Sequence, residues 1–226
     1  MPLITNQKYF PSAQPTGRPV LLLCGFGGKI WQVKRLIKTL NKAGYDITAL
    51  DFSKDVLSKG DPQLLLQLVN DVVAFAERQA KQVQKPILLV GVSLGALISL
   101  NILRRSNLFQ TGVLITGGDI AKIAQKLYPK VWPQTYAELA KTWESVNMYT
   151  DPQLLTGKRS LFVLHDSNKL IDVGDVRAEI TRQRQAGNDV ALVERKTFDH
   201  VGTIIEETVL FPRRTLEYIE QIEQVV

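Results

Sequence analysis

The residue best placed for covalent chemistry is Ser93, in Ile87-Leu-Leu-Val-Gly91-Val-Ser93-Leu-Gly95-Ala-Leu-Ile-Ser-Leu. A short apolar run precedes it and an apolar helical pattern follows, so G-x-S-x-G falls where a strand turns sharply into a helix. At the apex of such a turn a serine projects its hydroxyl beyond the sheet. Gly91 and Gly95 are then steric requirements, because strand and helix backbones approach too closely for a Cβ. The helix that follows directs its first N–H groups at any negative charge developing on the substrate. The competing reading is a glycine-rich turn whose serine merely caps a helix, and the strand-to-helix context argues against it. A serine alcohol is a poor nucleophile at neutral pH and needs an imidazole within hydrogen-bond reach. The chain has two histidines, His165 and His200.

Elements must hold these groups. Short β-branched or leucine-rich runs recur at 20–24, 47–50, 87–90, 113–116, 161–164 and 190–193, nearly continuous in apolar character as strands covered on both faces should be. Longer amphipathic segments at 31–43, 63–82, 96–105 and 176–185 read as helices. The βαβα order predicts an α/β fold, a mainly parallel central sheet with helices on both faces and right-handed crossovers. Residues 1–19, with prolines at 2, 11, 15 and 19, read as an extended leader able to add an edge strand, and 20–226 as a single domain. Residues 119–153 depart from the alternation and read as a small cap-like excursion over the sheet, with Pro129, Pro133 and Pro152 around an amphipathic 134–145.

With these elements in place the chain resembles the α/β-hydrolase superfamily from residue 18 onward. Leu22-Leu-Cys24-Gly25-Phe26-Gly27-Gly28 is similar to the family's H-G-x-G-G oxyanion loop, with cysteine in place of histidine. The resemblance implies that the backbone N–H groups of Phe26 and Leu94 bind the oxyanion. A phosphate-binding loop is the alternative for Gly25–Gly28, but neither a GK[ST] ending nor G-x-G-x-x-G is present. Family chain order is nucleophile, acid, histidine. Lys196-Thr-Phe-Asp-His200-Val-Gly202 is similar to the histidine loop, which makes His200 the base and His165 a strand-end residue.

The acid is sought in Leu161-Phe-Val-Leu-His165-Asp166-Ser-Asn168-Lys-Leu-Ile-Asp172, similar to the segment that delivers the family's aspartate. Matched without a gap, the acid position falls on Asn168. Asp166 is favoured as the carboxylate, with Asn168, Asp119 and Asp172 as alternatives; Asp119 also suits the cap of a helix at 120–127. The implied activity is a serine hydrolase of the carboxylesterase or thioesterase type, taking a small-molecule acyl ester or thioester and needing no cofactor or metal. A non-catalytic hydrolase-like binding protein and an acyltransferase using the same residues are the alternatives. Tyr128, Trp132, Tyr136, Trp143, Met148 and Tyr149 either wall an acyl pocket or pack the excursion onto the sheet.

Composition narrows the rest. At 226 residues, 45% hydrophobic and 22% charged, the chain fits one globular domain and excludes disordered, collagenous or coiled-coil classes. Cys24 is the single cysteine, so no intrachain disulfide or thiolate zinc cluster is expected. Residues 86–103 are uncharged, yet Pro86, two glycines and Asn101 fit strand-turn-helix better than a membrane span. The formal net charge of +6 includes Lys34, Arg35, Lys38 and Lys42 on one helical segment, read as a solvated face. No basic-aromatic run suggests nucleic-acid binding. The amino terminus lacks a signal-peptide pattern, and the expected location is cytoplasmic.

Overall fold

A computed structural model describes residues 2–56, 62–130, 132–147, 152–196 and 199–224. Seven strands form one sheet: β1 (Ile4–Phe10), β2 (Arg18–Leu23), β3 (Tyr45–Phe52), β4 (Leu88–Val92), β5 (Thr111–Ile115), β6 (Arg159–His165) and β7 (Asp189–Arg195). Their order is β1-β3-β2-β4-β5-β6-β7. All neighbours from β3 to β7 pair in parallel, while β1 lies antiparallel on β3. The leader thus supplies an edge strand, β1, whose seven residues lie between Pro2 and Pro11 and contain no proline.

The helices are α1 (Lys34–Lys42), α2 (Pro62–Val83), α3 (Leu94–Arg105), α4 (Ile120–Leu127), α5 (Trp132–Val146), α6 (Val173–Gln185), α7 (His200–Ile205) and α8 (Pro212–Glu223). A π-turn, Glu206–Leu210, joins α7 to α8. Successive strand side chains face opposite sides of the sheet, and the apolar residues divide accordingly. Leu21, Leu23, Leu89, Leu114, Phe162 and Leu164 pack with residues of α2, α3 and α6. Val20, Leu22, Val90, Val113, Leu161 and Val163 pack on the other side with α1 and α8. Both faces are covered, which is why the inner strands carry continuous apolar runs.

The last strand is longer than its apolar run. The run expected at 190–193 is only the middle of β7, whose ends Asp189, Glu194 and Arg195 are polar because the strand is an edge. In the excursion, Trp143 is fully buried and joins the core with Val146, while Tyr136 is exposed. Trp143 therefore anchors α5 rather than walling a pocket. Met148 and Tyr149 lie outside the described residues, as does the side chain of Trp132.

Candidate active site

Ser93 stands between β4 and α3 with φ 54° and ψ −114°, a conformation L-residues avoid, at a cost on the order of 1–3 kcal/mol. Three features hold it there. Its N–H donates to the carbonyl of Ile115 at the end of β5 (2.8 Å), while its own carbonyl accepts from the N–H of Ala96 in α3 (2.9 Å). A Cβ at Gly95 would come within 2.0 Å of the Leu23 carbonyl oxygen, and one at Gly91 within 2.3 Å of the Gly95 oxygen. The steric need for both glycines is therefore met by backbone, which cannot yield as a side chain can.

His200 opens α7, capped by Asp199, whose carboxylate accepts from the Gly202 N–H at 2.8 Å. That cap leaves the Asp199 carboxylate engaged with the helix and turns the imidazole toward the elbow. His200 Nε2 lies 2.9 Å from Ser93 Oγ. Burial lowers the His200 pKa below the ordinary histidine value, offset in part by the Asp199 charge. The resting imidazole is neutral at physiological pH.

The residue on the far side of the ring is Asn168, whose Nδ2 lies 3.2 Å from His200 Nδ1. The preference for Asp166 is corrected by this geometry. Asp166 is exposed, two residues earlier on the turn, and its charge acts on His165 and Arg177 instead. The other two carboxylates are consumed as helix caps. Asp119 accepts from the N–H groups of Ala121 (2.8 Å) and Lys122 (3.0 Å) at the start of α4. Asp172 accepts from Gly174 (2.9 Å) and Asp175 (3.3 Å) at the start of α6. Each follows the usual preference of aspartate for that position.

The loop after β2 passes against Ser93. A Cβ on Gly25 would lie 3.2 Å from the Ser93 Cβ, and the turn is closed by the Gly28 N–H to the Gly25 carbonyl at 3.0 Å. Phe26 and Leu94 both line the cavity at Ser93. Leu94 is the first residue of α3, so its N–H has no acceptor within the helix. Cys24 is buried at the loop's root, and burial beside the Asp51 carboxylate pushes its thiol pKa far up. It is a protonated packing residue and no competitor for nucleophile.

A cavity of about 510 Å³ opens over Ser93 and His200. Its walls are α4, through Ile120, Ile123 and Leu127, α7, through Val201, Ile204 and Ile205, and the π-turn, through Thr208 and Val209. Tyr128 contributes from the aromatic set, and Tyr136 and Trp143 do not. The apolar stripes at 120, 123, 127 and at 201, 204, 205 were available in the sequence as i, i+3 and i+4 or i+7 spacings, which would have located these walls. Thr116, also on the wall, was missed as well. It has φ 56°, and its buried hydroxyl has no hydrogen-bond partner among the described residues.

His165, the other histidine, is fully buried at the end of β6, with Nε2 3.3 Å from Glu206 Oε2 of the π-turn. Burial lowers its pKa, against the pull of Glu206 and Asp166. It braces the back of the segment that carries His200.

Residues 14–193 match the family model described as serine aminopeptidase, S33. An esterase from Pyrococcus furiosus has a similar structure, with TM-score 0.69, 19% identity, and coverage of 96% of this chain and 84% of that one. Est1E from Butyrivibrio proteoclasticus gives 0.70 at 14% identity, covering 96% and 94%. An acylaminoacyl peptidase from Pyrococcus horikoshii gives 0.73 at 13%, covering 96% of this chain but 39% of that one. A search of curated proteins returns no match. The elbow at Ser93, the parallel sheet that carries it and the family match over most of the sequence agree: the chain belongs to the S33 serine aminopeptidase family, within the α/β-hydrolase superfamily.

Proposed function

We propose that the protein is a serine hydrolase that cleaves carboxylic esters or thioesters through an acyl-Ser93 intermediate. The observation that carries this reading is the contact of Ser93 Oγ with His200 Nε2 at 2.9 Å, at the floor of an apolar cavity. Ser93 Oγ attacks the acyl carbon as its proton passes to His200. The carbonyl oxygen becomes an oxyanion held by the N–H groups of Phe26 and Leu94. His200 then returns the proton to the leaving alkoxide or thiolate. Water repeats the sequence on the acyl-serine and frees the acid.

Esters and thioesters fit better than peptides for two reasons. An aminopeptidase needs a carboxylate to hold the substrate's α-ammonium, and no Asp or Glu is among the described residues lining the cavity. An amine is also a poor leaving group that demands strong acid catalysis, whereas an imidazolium facing an amide has no carboxylate to stabilise it. The similar Pyrococcus furiosus protein, an esterase, points the same way. Transfer of the acyl group to an alcohol or amine would use the same residues.

Hydrolysis of a short-acyl nitrophenyl ester tests the reading. Turnover is expected for the wild type and its loss by at least about 10³-fold in Ser93→Ala. Asn168 at the acid position favours one rival, a hydrolase-shaped binding protein. No turnover in the wild type, with acyl-ester binding that survives Ser93→Ala, would establish that rival instead.

A further inference from the structure

The side-chain amide of Asn168 is held in one orientation. Its Oδ1 accepts two backbone N–H groups of its own turn, from Leu170 at 3.1 Å and Ile171 at 3.0 Å. Rotating the amide by half a turn would set its NH₂ against two N–H donors and leave three groups without acceptors in a buried place. The oxygen therefore faces the turn, and Nδ2 faces His200 Nδ1 at 3.2 Å.

An amide nitrogen only donates. His200 Nδ1 must then be the bare, accepting nitrogen, which puts the ring's single hydrogen on Nε2. That hydrogen points at Ser93 Oγ, 2.9 Å away. The direction of this hydrogen bond is the reverse of what proton abstraction needs, because a base must offer Nε2 its lone pair. We propose that Asn168 is a positioning residue that locks His200 in the Nε2–H tautomer, so that the resting triad is set against attack by Ser93 and is released by a carboxylate at position 168.

The proton balance makes the attenuation explicit. Before Ser93 can give up its proton, the Nε2 hydrogen must leave through solvent and another must arrive on Nδ1, where it meets the Asn168 NH₂ as donor against donor. Once the serine proton is on Nε2, the ring is an imidazolium with no acceptor for Nδ1–H and no opposing charge beyond that of Asp199, the one group whose charge raises the His200 pKa among the described residues. With aspartate at 168, one oxygen would keep the two backbone N–H groups and the other would accept Nδ1–H. That arrangement frees the Nε2 lone pair and stabilises the cation.

This inference rests on the hydrolase reading for its kinetic consequence but not for its structural content. The direct measurement is ¹⁵N NMR of the imidazoles, which is tractable because the chain has only His165 and His200. Loss of one spin system in His200→Ala assigns the other. His200 in the wild type is expected as the neutral Nε2–H tautomer, and in Asn168→Asp as Nδ1–H. The kinetic companion is Asn168→Asp assayed on the nitrophenyl ester. Its kcat is expected to rise about 10²- to 10⁴-fold, the converse of the loss when a triad aspartate becomes asparagine, with KM little changed. The acid limb of its pH profile is expected to move to higher pH, which a purely structural role for residue 168 would not produce. An Nδ1–H tautomer in the wild type, or a folded and fluorophosphonate-labelled Asn168→Asp no faster than wild type, would overturn the proposal. Absence of both turnover and labelling in the two proteins, with the Nε2–H tautomer observed, would support the lock and reject the hydrolase reading alone.

Discussion

At the scale of single residues the informative conflict lies between Asp166 and Asn168. Chemical expectation favours the carboxylate, because only a charge neutralises imidazolium, while the ungapped family register favours the amide. Geometry follows the register: Asn168 meets the ring and Asp166 is exposed. Asp166→Ala is accordingly expected to keep ester turnover within about threefold of wild type, and a collapse of kcat would return Asp166 to the site. The base should report itself in the pH dependence. Burial lowers the His200 pKa, so the neutral form that can accept a proton accumulates as pH rises through a value below the ordinary histidine range. The rate should climb on the acid side and be level from about pH 7 to pH 8.5. A profile flat down to pH 4.5 would remove His200 from proton transfer. Ser93, Gly91 and Gly95 were legible because a sharp strand-to-helix turn leaves few residue choices. The orientation of an amide was not, since it depends on two backbone N–H groups that only the folded turn brings to bear.

Among the elements, the inner strands and the long helices were legible from apolar periodicity, and the segment after His200 was not. Glu206, Glu207 and Thr208 are polar side chains that the sequence analysis did not assign, and all three are buried in the π-turn that backs α7. The reason is tertiary. Arg214 reaches Glu206 at 2.6 Å, Arg195 lies 4.0 Å from Glu207, and His165 closes the group from β6. Burial pushes the Glu207 carboxyl up to about 7, against about 4.3 in an unfolded chain. The folded state thus holds a proton across that interval that the unfolded state has released. The stability this confers is full below the unfolded value and is lost as pH rises to about 7. Glu207→Gln has no such loss, so its stability relative to wild type should improve between pH 5 and pH 8 by on the order of 2 kcal/mol in urea unfolding. A difference that is constant or declines with pH would mean that Glu207 is charged in the fold at both values.

For the molecule as a whole, the sequence-level exclusions have structural counterparts. The uncharged stretch at 86–103 divides into β4, the elbow and α3, and no helix among the described residues is long and apolar enough to cross a membrane. Lys34, Arg35, Lys38 and Lys42 lie on or beside the solvent side of α1, while Leu36, Ile37 and Leu40 bury its other side. The sheet order places the ends of β2, β4 and β6 close together, so residues 26, 93 and 200, distant in sequence, converge on a single cavity with Asn168 behind the His200 ring. That convergence was implied by family order, whereas the wall stripes of α4 and α7 were present as helical spacings and became a cavity only when the fold set both beside Ser93. The central claim is that Ser93 is a working nucleophile. Its most direct test is exposure of the native protein to a fluorophosphonate probe, followed by mass spectrometry of the intact chain and of its peptides. One adduct per chain, mapped to Ser93 and absent in Ser93→Ala, is the expected result. An unlabelled native protein across several pH values, or an adduct at another residue that persists in Ser93→Ala, would contradict it.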